Sequence, residues 1–204
     1  MSGQKKHLQS IHVEHNKHTA NCATEYMPVP DVVYISMSQH IGAPCKPLVQ
    51  KGDEVKVGQL LGDTDAFVSA PIHSSVSGTV KSIEGMRIGG GLDDTIVVIE
   101  TDKKQELLET IEPPKVSNHD EFVKAIRASG LVGLGGASFP THIKYNPKNM
   151  KDVHTLIVNG AECEPFITSD HRLMLEETEN IIDGMLLVMK YLELNEGYIG
   201  VEDN

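Results

Sequence analysis

Cysteine is scarce in this sequence, and no two cysteines are close enough to form a CxxC pair: Cys22, Cys45 and Cys163 each stand alone. Three scattered thiols cannot furnish the four thiolates of an iron–sulfur cluster, and an odd number of them fits a reducing compartment. Long apolar runs are also missing. No stretch approaches the roughly 18 residues that a membrane span needs, and the opening MSGQKKHLQSIHVEHNKH lacks the apolar segment of a secretory signal. Basic residues are in deficit, 18 against 29 acidic ones, for a net charge of −11. The deficit is spread along the chain, −5 before Pro113 and −6 from there on, so it is not an acidic tail. It argues against nucleic-acid partners, which require a basic footprint. These absences lead to the expectation of a cytoplasmic protein, and 204 residues leave room for one or two domains.

What is present begins with a polar arm, residues 1–30, carrying His7, His12, His15, His18 and then Cys22. Imidazole and thiolate are good zinc ligands, but these spacings match no closed tetrahedral set. The preferred reading is an irregular arm over the following domain, closed by Pro28 and Pro30, which bias the backbone to extended forms.

Residues 31–112 read as a small β domain. Val32-Val33-Tyr34-Ile35 is a β-branched strand, and Thr95 to Ile99 is another. Between them run short strands punctuated by Lys51-Gly52-Asp53, Gly58 and Gly62-Asp63 as turns, and by a Gly89-Gly90-Gly91 loop. The spacing of the Gly-Asp pairs, followed by Ala70-Pro71 and Ser77-Gly78-Thr79-Val80, resembles the biotinyl/lipoyl barrel-sandwich hybrid domains. Those carriers hold a modified lysine in a hairpin. Here Ala66 and Phe67 occupy its place, so there is no amine to acylate, and a packing or docking role is expected instead. His40 and His73 read as turn and core polar residues. Cys45 has only Lys46 nearby to lower its pKa.

Residues 113–204 read as part of an α/β domain. Asn118 is a helix cap ahead of Asp120 and Glu121, and Gly130 is a stop. The loop Gly133-Leu134-Gly135-Gly136-Ala137-Ser138 then lets backbone amides approach an anion without an intruding Cβ. Pro140 can open a helix that carries Lys144 about one turn in, within reach of a phosphate. Such a glycine loop alone reads equally well as a tight turn. His154 to Val158 is a buried strand that turns at Asn159-Gly160, and Glu162 and Glu164, two apart, share one side of extended chain. Two like charges on one face suit a ligand with ribose hydroxyls or an amide; a solvated acidic loop is the bland alternative. One long helix is expected from an Asp170 cap to about Glu193, then a strand at Tyr198 to Val201. A domain that stops as a strand begins looks incomplete, so either a truncated chain or a partner half on another chain is expected.

Together, His40-Ile-Gly-Ala-Pro, Ile72-His-Ser-Ser-Val-Ser-Gly78, Gly133-Leu-Gly-Gly-Ala-Ser-Phe-Pro-Thr141, Asn159-Gly-Ala-Glu-Cys-Glu-Pro165 and Ile199-Gly-Val-Glu-Asp-Asn204 resemble the N-terminal part of the C subunit of the Rnf electron-transport complex. That family is related to the flavin- and NADH-binding subunit of respiratory complex I. The resemblance implies an α/β multidomain fold: a barrel-sandwich hybrid at 31–112 and the first half of an FMN/NADH-binding α/β domain at 113–204. It implies that Gly133, Gly135, Gly136 and Ala137 line the flavin phosphate and ribityl chain. Phe139 lies beside a ring, Lys144 meets the phosphate, Asn159 bonds the flavin, and Glu162 and Glu164 border the nicotinamide. Leu134 stands where the complex I loop has arginine, and Gly160-Ala161 displaces its aspartate, changes that touch the nicotinamide end more than the flavin end. No side chain is expected to be an acid or base, since the flavin is the reaction centre. The implied activity is ion-translocating ferredoxin:NAD oxidoreduction within a membrane complex, with the protein peripheral on the inner face of the cell membrane. FMN and NAD(H) are the expected cofactors. Two 4Fe-4S clusters are expected beyond residue 204, and no metal within it. The partners are the other members of the complex and, indirectly, ferredoxin. A soluble electron-transfer protein of the kind serving proline reductase, or a docking module without activity, are the alternatives, and the chain alone is expected to be inactive.

Overall fold

The computed structural model describes residues 13–202 apart from 88, 92 and 135. His7 and His12 of the histidine-rich arm therefore lie outside the described residues, as does Gly135 of the glycine loop. The chain divides into two compact units, one of residues 26–153 and 191–193, the other of residues 13–25, 154–190 and 194–202. Helical residues 119–128 and 141–144 thus belong with the β strands that precede them.

Seven strands build the first unit: β1 (Val32–Ser36), β2 (Lys46–Pro47), β3 (Glu54–Val55), β4 (Leu60–Asp63), β5 (Ile72–His73), β6 (Gly78–Arg87) and β7 (Asp93–Thr101). They form an antiparallel sheet in the order β1-β7-β6-β3 and a smaller one in the order β2-β4-β5. One apolar cluster draws Leu61 and Ile72 from the small sheet and Val55, Val80, Val97 and Ile99 from the large one, with Met37, Cys45 and Val76 added. Each such aliphatic side chain contributes about 1.5–3 kcal/mol on leaving water. Curled sheets followed by helices give the mixed fold class expected, with a correction inside it. Gly62-Asp63 is not a turn; it ends β4, opposite Pro47 and Lys46. Gly62 is small because a Cβ there would sit 2.5 Å from the Met37 sulfur, so the glycine serves packing. Gly52 and Gly58, with φ of +94° and +83°, do make turns.

Helix α1 (His119–Ala128) starts as its sequence dictates, the Asn118 side chain accepting from the Glu121 N–H at 2.9 Å. Phe122 is its buried anchor and stacks on Tyr145 at 5.8 Å. Helix α2 (Thr141–Lys144) is only four residues long, with Pro140 as its cap and Lys144 at its end. Pro147 explains the stop, because it biases Asn146 away from helical geometry.

In the second unit β8 (Thr155–Gly160) and β9 (Glu196–Val201) run parallel, Ile157 opposite Tyr198. Asn159 and Gly160 continue the ladder opposite Gly200 and Val201, so the turn expected at these two residues is strand, and the chain leaves the sheet only at Ala161. The single long helix expected from Asp170 is two: α3 (Ser169–Glu176), capped at Thr168, and α4 (Thr178–Tyr191). The break falls at Glu177, where the Thr178 hydroxyl donates to the Met174 carbonyl at 2.5 Å and competes with the helical ladder. Met185 and Met189 of α4 lie over Gly197, and Met174 of α3 over Gly160; both glycines let a helix approach the sheet closely. Among the described residues, no helix is long and apolar enough to cross a membrane.

Candidate functional site

The expected site residues fall in two places, one in each unit. In the first unit the glycine loop is fastened at its base. Leu131 accepts from the Thr141 N–H at 3.0 Å, Val132 bridges Pro140, and the Gly133 N–H donates to the Phe139 carbonyl at 2.9 Å. Pro140 is fully buried and Thr141 nearly so, whereas Leu134 is 87% exposed. A rigid base thus carries an open tip, which Ser138 turns with a φ of +50°.

Lys144 comes back onto this loop. A Cβ at Gly133 would lie 2.8 Å from its Nζ, so the ammonium rests on the glycine's bare backbone. Among the described residues it makes no ion pair or hydrogen bond. No atom lies within 4 Å of where a Cβ would stand at Gly136. An unneutralised ammonium beside open backbone is a donor set suited to a phosphate, which is how the residues present fit the phosphate end of FMN. Gly133, Phe139 and Lys144 are therefore brought together, with Gly136 and Ala137 at the exposed tip.

In the second unit a cavity of about 280 Å³ opens at the carboxyl ends of β8 and β9, among Lys17, Gly160, Glu162, His171, Met174 and Val201. The carboxyl ends of parallel strands are where open α/β sheets take ligands. Glu162 and Glu164 do not share a face: the chain bends, leaving Glu162 buried and Glu164 exposed. The Glu162 carboxylate reaches the first turn of α3, accepting from Asp170 N–H at 2.7 Å, Ser169 Oγ at 3.0 Å and His171 N–H at 3.3 Å. Burial pushes its pKa up, but those donors and the Lys17 charge more than offset this and hold it below the ordinary value. Asp170 is pushed up, by burial and then by the charges of Glu162 and Glu164. The Asn159 side chain accepts from the Ala161 N–H at 3.1 Å, which orders the start of the loop.

Lys17 was not legible as a site residue, since nothing in its spacing ties it to a loop 145 residues away. Nor was the pairing of Arg127 with Asp63 across 64 residues. Cys45, buried and donating to the Ala70 carbonyl at 3.1 Å, has its pKa raised mainly by burial and is an inert core thiol. Among the described residues no group of His, Cys, Asp or Glu is placed to hold a metal ion.

Comparison with known proteins divides the chain elsewhere, each matched stretch taking in residues of both units. Residues 6–104 match the RnfC barrel sandwich hybrid domain, and residues 126–204 match the Nuo51 FMN-binding domain. The chain is 46% identical over 191 residues to the C subunit of the proton-translocating ferredoxin:NAD(+) oxidoreductase complex of Clostridium ljungdahlii, covering 92% of this chain and 42% of that protein. It is 42% identical over 198 residues to the C subunit of the Na(+)-translocating ferredoxin:NAD(+) oxidoreductase complex of Acetobacterium woodii, covering 95% and 45%. To the C subunit of the ion-translocating oxidoreductase complex of Rhodobacter capsulatus it is 36% identical over 200 residues, covering 95% and 38%. The chain spans less than half the length of these relatives.

Proposed function

Because this chain belongs to the family of C subunits of ion-translocating ferredoxin:NAD(+) oxidoreductase complexes, we propose that it supplies one wall of an FMN site in a protein that passes electrons between NAD(H) and ferredoxin. The single observation that carries this reading is the Lys144 ammonium, unpaired among the described residues, lying on Gly133.

FMN, when bound, supplies the exchange between hydride and single-electron chemistry. The residues of this chain bind and orient. Lys144 holds the phosphate as a point charge over the bare backbone of Gly133, and Gly136 and Ala137 line the phosphate and ribityl chain at the loop's open tip. Phe139 flanks the ring. Asn159 offers an amide to the flavin, and Glu164 an exposed carboxylate to the nicotinamide. Glu162 acts one step back, fixing α3 and with it the wall of the cavity. The 4Fe-4S clusters belong to parts of the family's full-length protein outside these residues, and that protein sits at the inner membrane face through the other members of its complex. Titration of FMN into the flavin-stripped full-length protein is expected to quench flavin fluorescence with an end point at one equivalent. No binding at micromolar protein would defeat the reading.

A further inference from the structure

The arm of residues 13–25 has no helix or strand of its own, yet it lies along the segment 162–176 through a series of specific bonds. The Phe166 N–H donates to the His15 carbonyl at 2.8 Å, and the Thr19 and Thr168 hydroxyls meet at 2.6 Å. Arg172 donates to the Ala20 carbonyl at 3.2 Å, and the Thr24 N–H to Glu176 at 3.1 Å. At the centre is Lys17. Its Nζ donates to the carbonyls of Glu162 at 2.5 Å, Ile167 at 2.7 Å and Glu164 at 3.0 Å, filling all three of its donor positions.

Those three carbonyls come from a loop with no ladder of its own, which Phe166 turns at a φ of +68°. Converging carbonyls repel unless a cation sits among them, and an ammonium with three donors answers that geometry. We propose that Lys17 is a positioning residue for the acidic loop 161–168: its ammonium fixes the loop backbone, and thereby sets Glu162 on α3 and the cavity at the ends of β8 and β9. The arm falls within the stretch that matches the barrel sandwich hybrid domain, but it packs with the strand–helix unit and contributes to that unit's site. The consequence for flavin rests on the FMN reading given above; the ordering of the loop does not.

The test compares wild type, Lys17→Met and Lys17→Ala in the full-length protein, following amide hydrogen exchange over 159–168 and FMN affinity together. Lys17→Met is expected to speed exchange in the loop by about tenfold or more and to weaken FMN binding by about tenfold, the loss of charge-assisted bonds, with exchange in β6 and β7 unchanged. Propylammonium matches the atoms removed in Lys17→Ala; added to that variant, it is expected to restore both, and propanol to restore neither. Unchanged loop exchange in both variants overturns the proposal, and so does a loosened loop with undiminished FMN affinity. A wild type that binds no FMN defeats the flavin reading instead, and the loop exchange of the variants then still decides whether Lys17 orders the loop.

Discussion

Arg127, in the last turn of α1, grips Asp63 at the end of β4 with both prongs of its guanidinium. Nη2 meets Oδ1 at 2.7 Å and Nη1 meets Oδ2 at 3.3 Å, while Nη2 also reaches the Thr64 carbonyl at 3.0 Å. This hairpin begins where carrier domains of the barrel fold present their modified lysine, and here it holds a helix. Just beyond, Gly130 has a φ of +73°, and a Cβ there would run into the Pro71 carbonyl oxygen. The helix that leads into the glycine loop is thus mounted on the barrel at two adjoining points. Asp63→Asn or Arg127→Met is expected to destabilise the protein by about 1–3 kcal/mol, as for a partly buried ion pair that loses one partner, measured by urea unfolding. Burial raises the Asp63 pKa, but the bonds from Arg127 and the Thr64 N–H outweigh it and leave the carboxyl below its ordinary value of 3.8. A depressed carboxylate contributes stability that is present above the unfolded value and lost as pH falls through the folded one. The gap between wild type and Asp63→Asn is therefore expected to be full at neutral pH and to close only below about pH 4.

Lys144 and Lys148 are four residues apart, and it is the Lys144 ammonium that lies against Gly133. In the full-length protein Lys144→Ala is expected to weaken FMN about tenfold or more, the scale of one charge-assisted bond, and Lys148→Ala by less than about twofold. Equal losses would remove Lys144 from the phosphate site.

Gly133→Ala separates packing from binding. The new Cβ would meet the far end of a flexible side chain, 2.8 Å from Nζ, not a backbone atom. Its stability is expected to change by less than about 0.5 kcal/mol, while FMN affinity falls with the displaced ammonium. A variant that keeps full affinity would show that the ammonium and the loop do not act as one unit.

The barrel was largely legible because its signals are local: β-branched runs, glycine turns at Gly52 and Gly58, and a cap at Asn118. What local reading missed was set by distant partners. Gly62 looked like a turn because nothing adjacent in sequence reveals Met37 behind it. Glu162 and Glu164 looked alike because period-two reasoning holds only while the chain stays extended, and Lys17 and the α3 N-terminus bend it. The break at Glu177 was hidden by an apolar pattern that runs through both helices. That Lys144 comes back onto the glycine loop could be read from spacing and residue type. The lysine that fixes the acidic loop could not, since a single cation in a polar arm carries no periodic signature.

Absence of a lysine at the barrel hairpin has a chemical consequence of its own. With Ala66 and Phe67 there, and Phe67 80% exposed, the tip offers an apolar ring and no amine. Intact-mass measurement of the full-length protein is expected to show neither biotin nor lipoate. An adduct on any lysine would restore the carrier reading that the hairpin sequence argues against.

Glu162 offers the sharpest pH test in the second unit. Its carboxylate receives two backbone N–H groups and one hydroxyl from the first turn of α3, where a negative charge also meets the positive end of the helix dipole. Glu162→Gln keeps the shape and removes the charge, and is expected to cost about 1–2 kcal/mol, in line with loss of a helix cap. The effect should appear first as faster amide exchange at Asp170 and His171. Because the folded pKa is held below 4.5, this contribution is present at neutral pH and fades as pH falls through the folded value. Wild type and variant are therefore expected to differ at pH 7 and to converge below about pH 4. No difference at pH 7 would mean that Glu162 acts by shape, as any hydrogen-bonding side chain would, and not by charge.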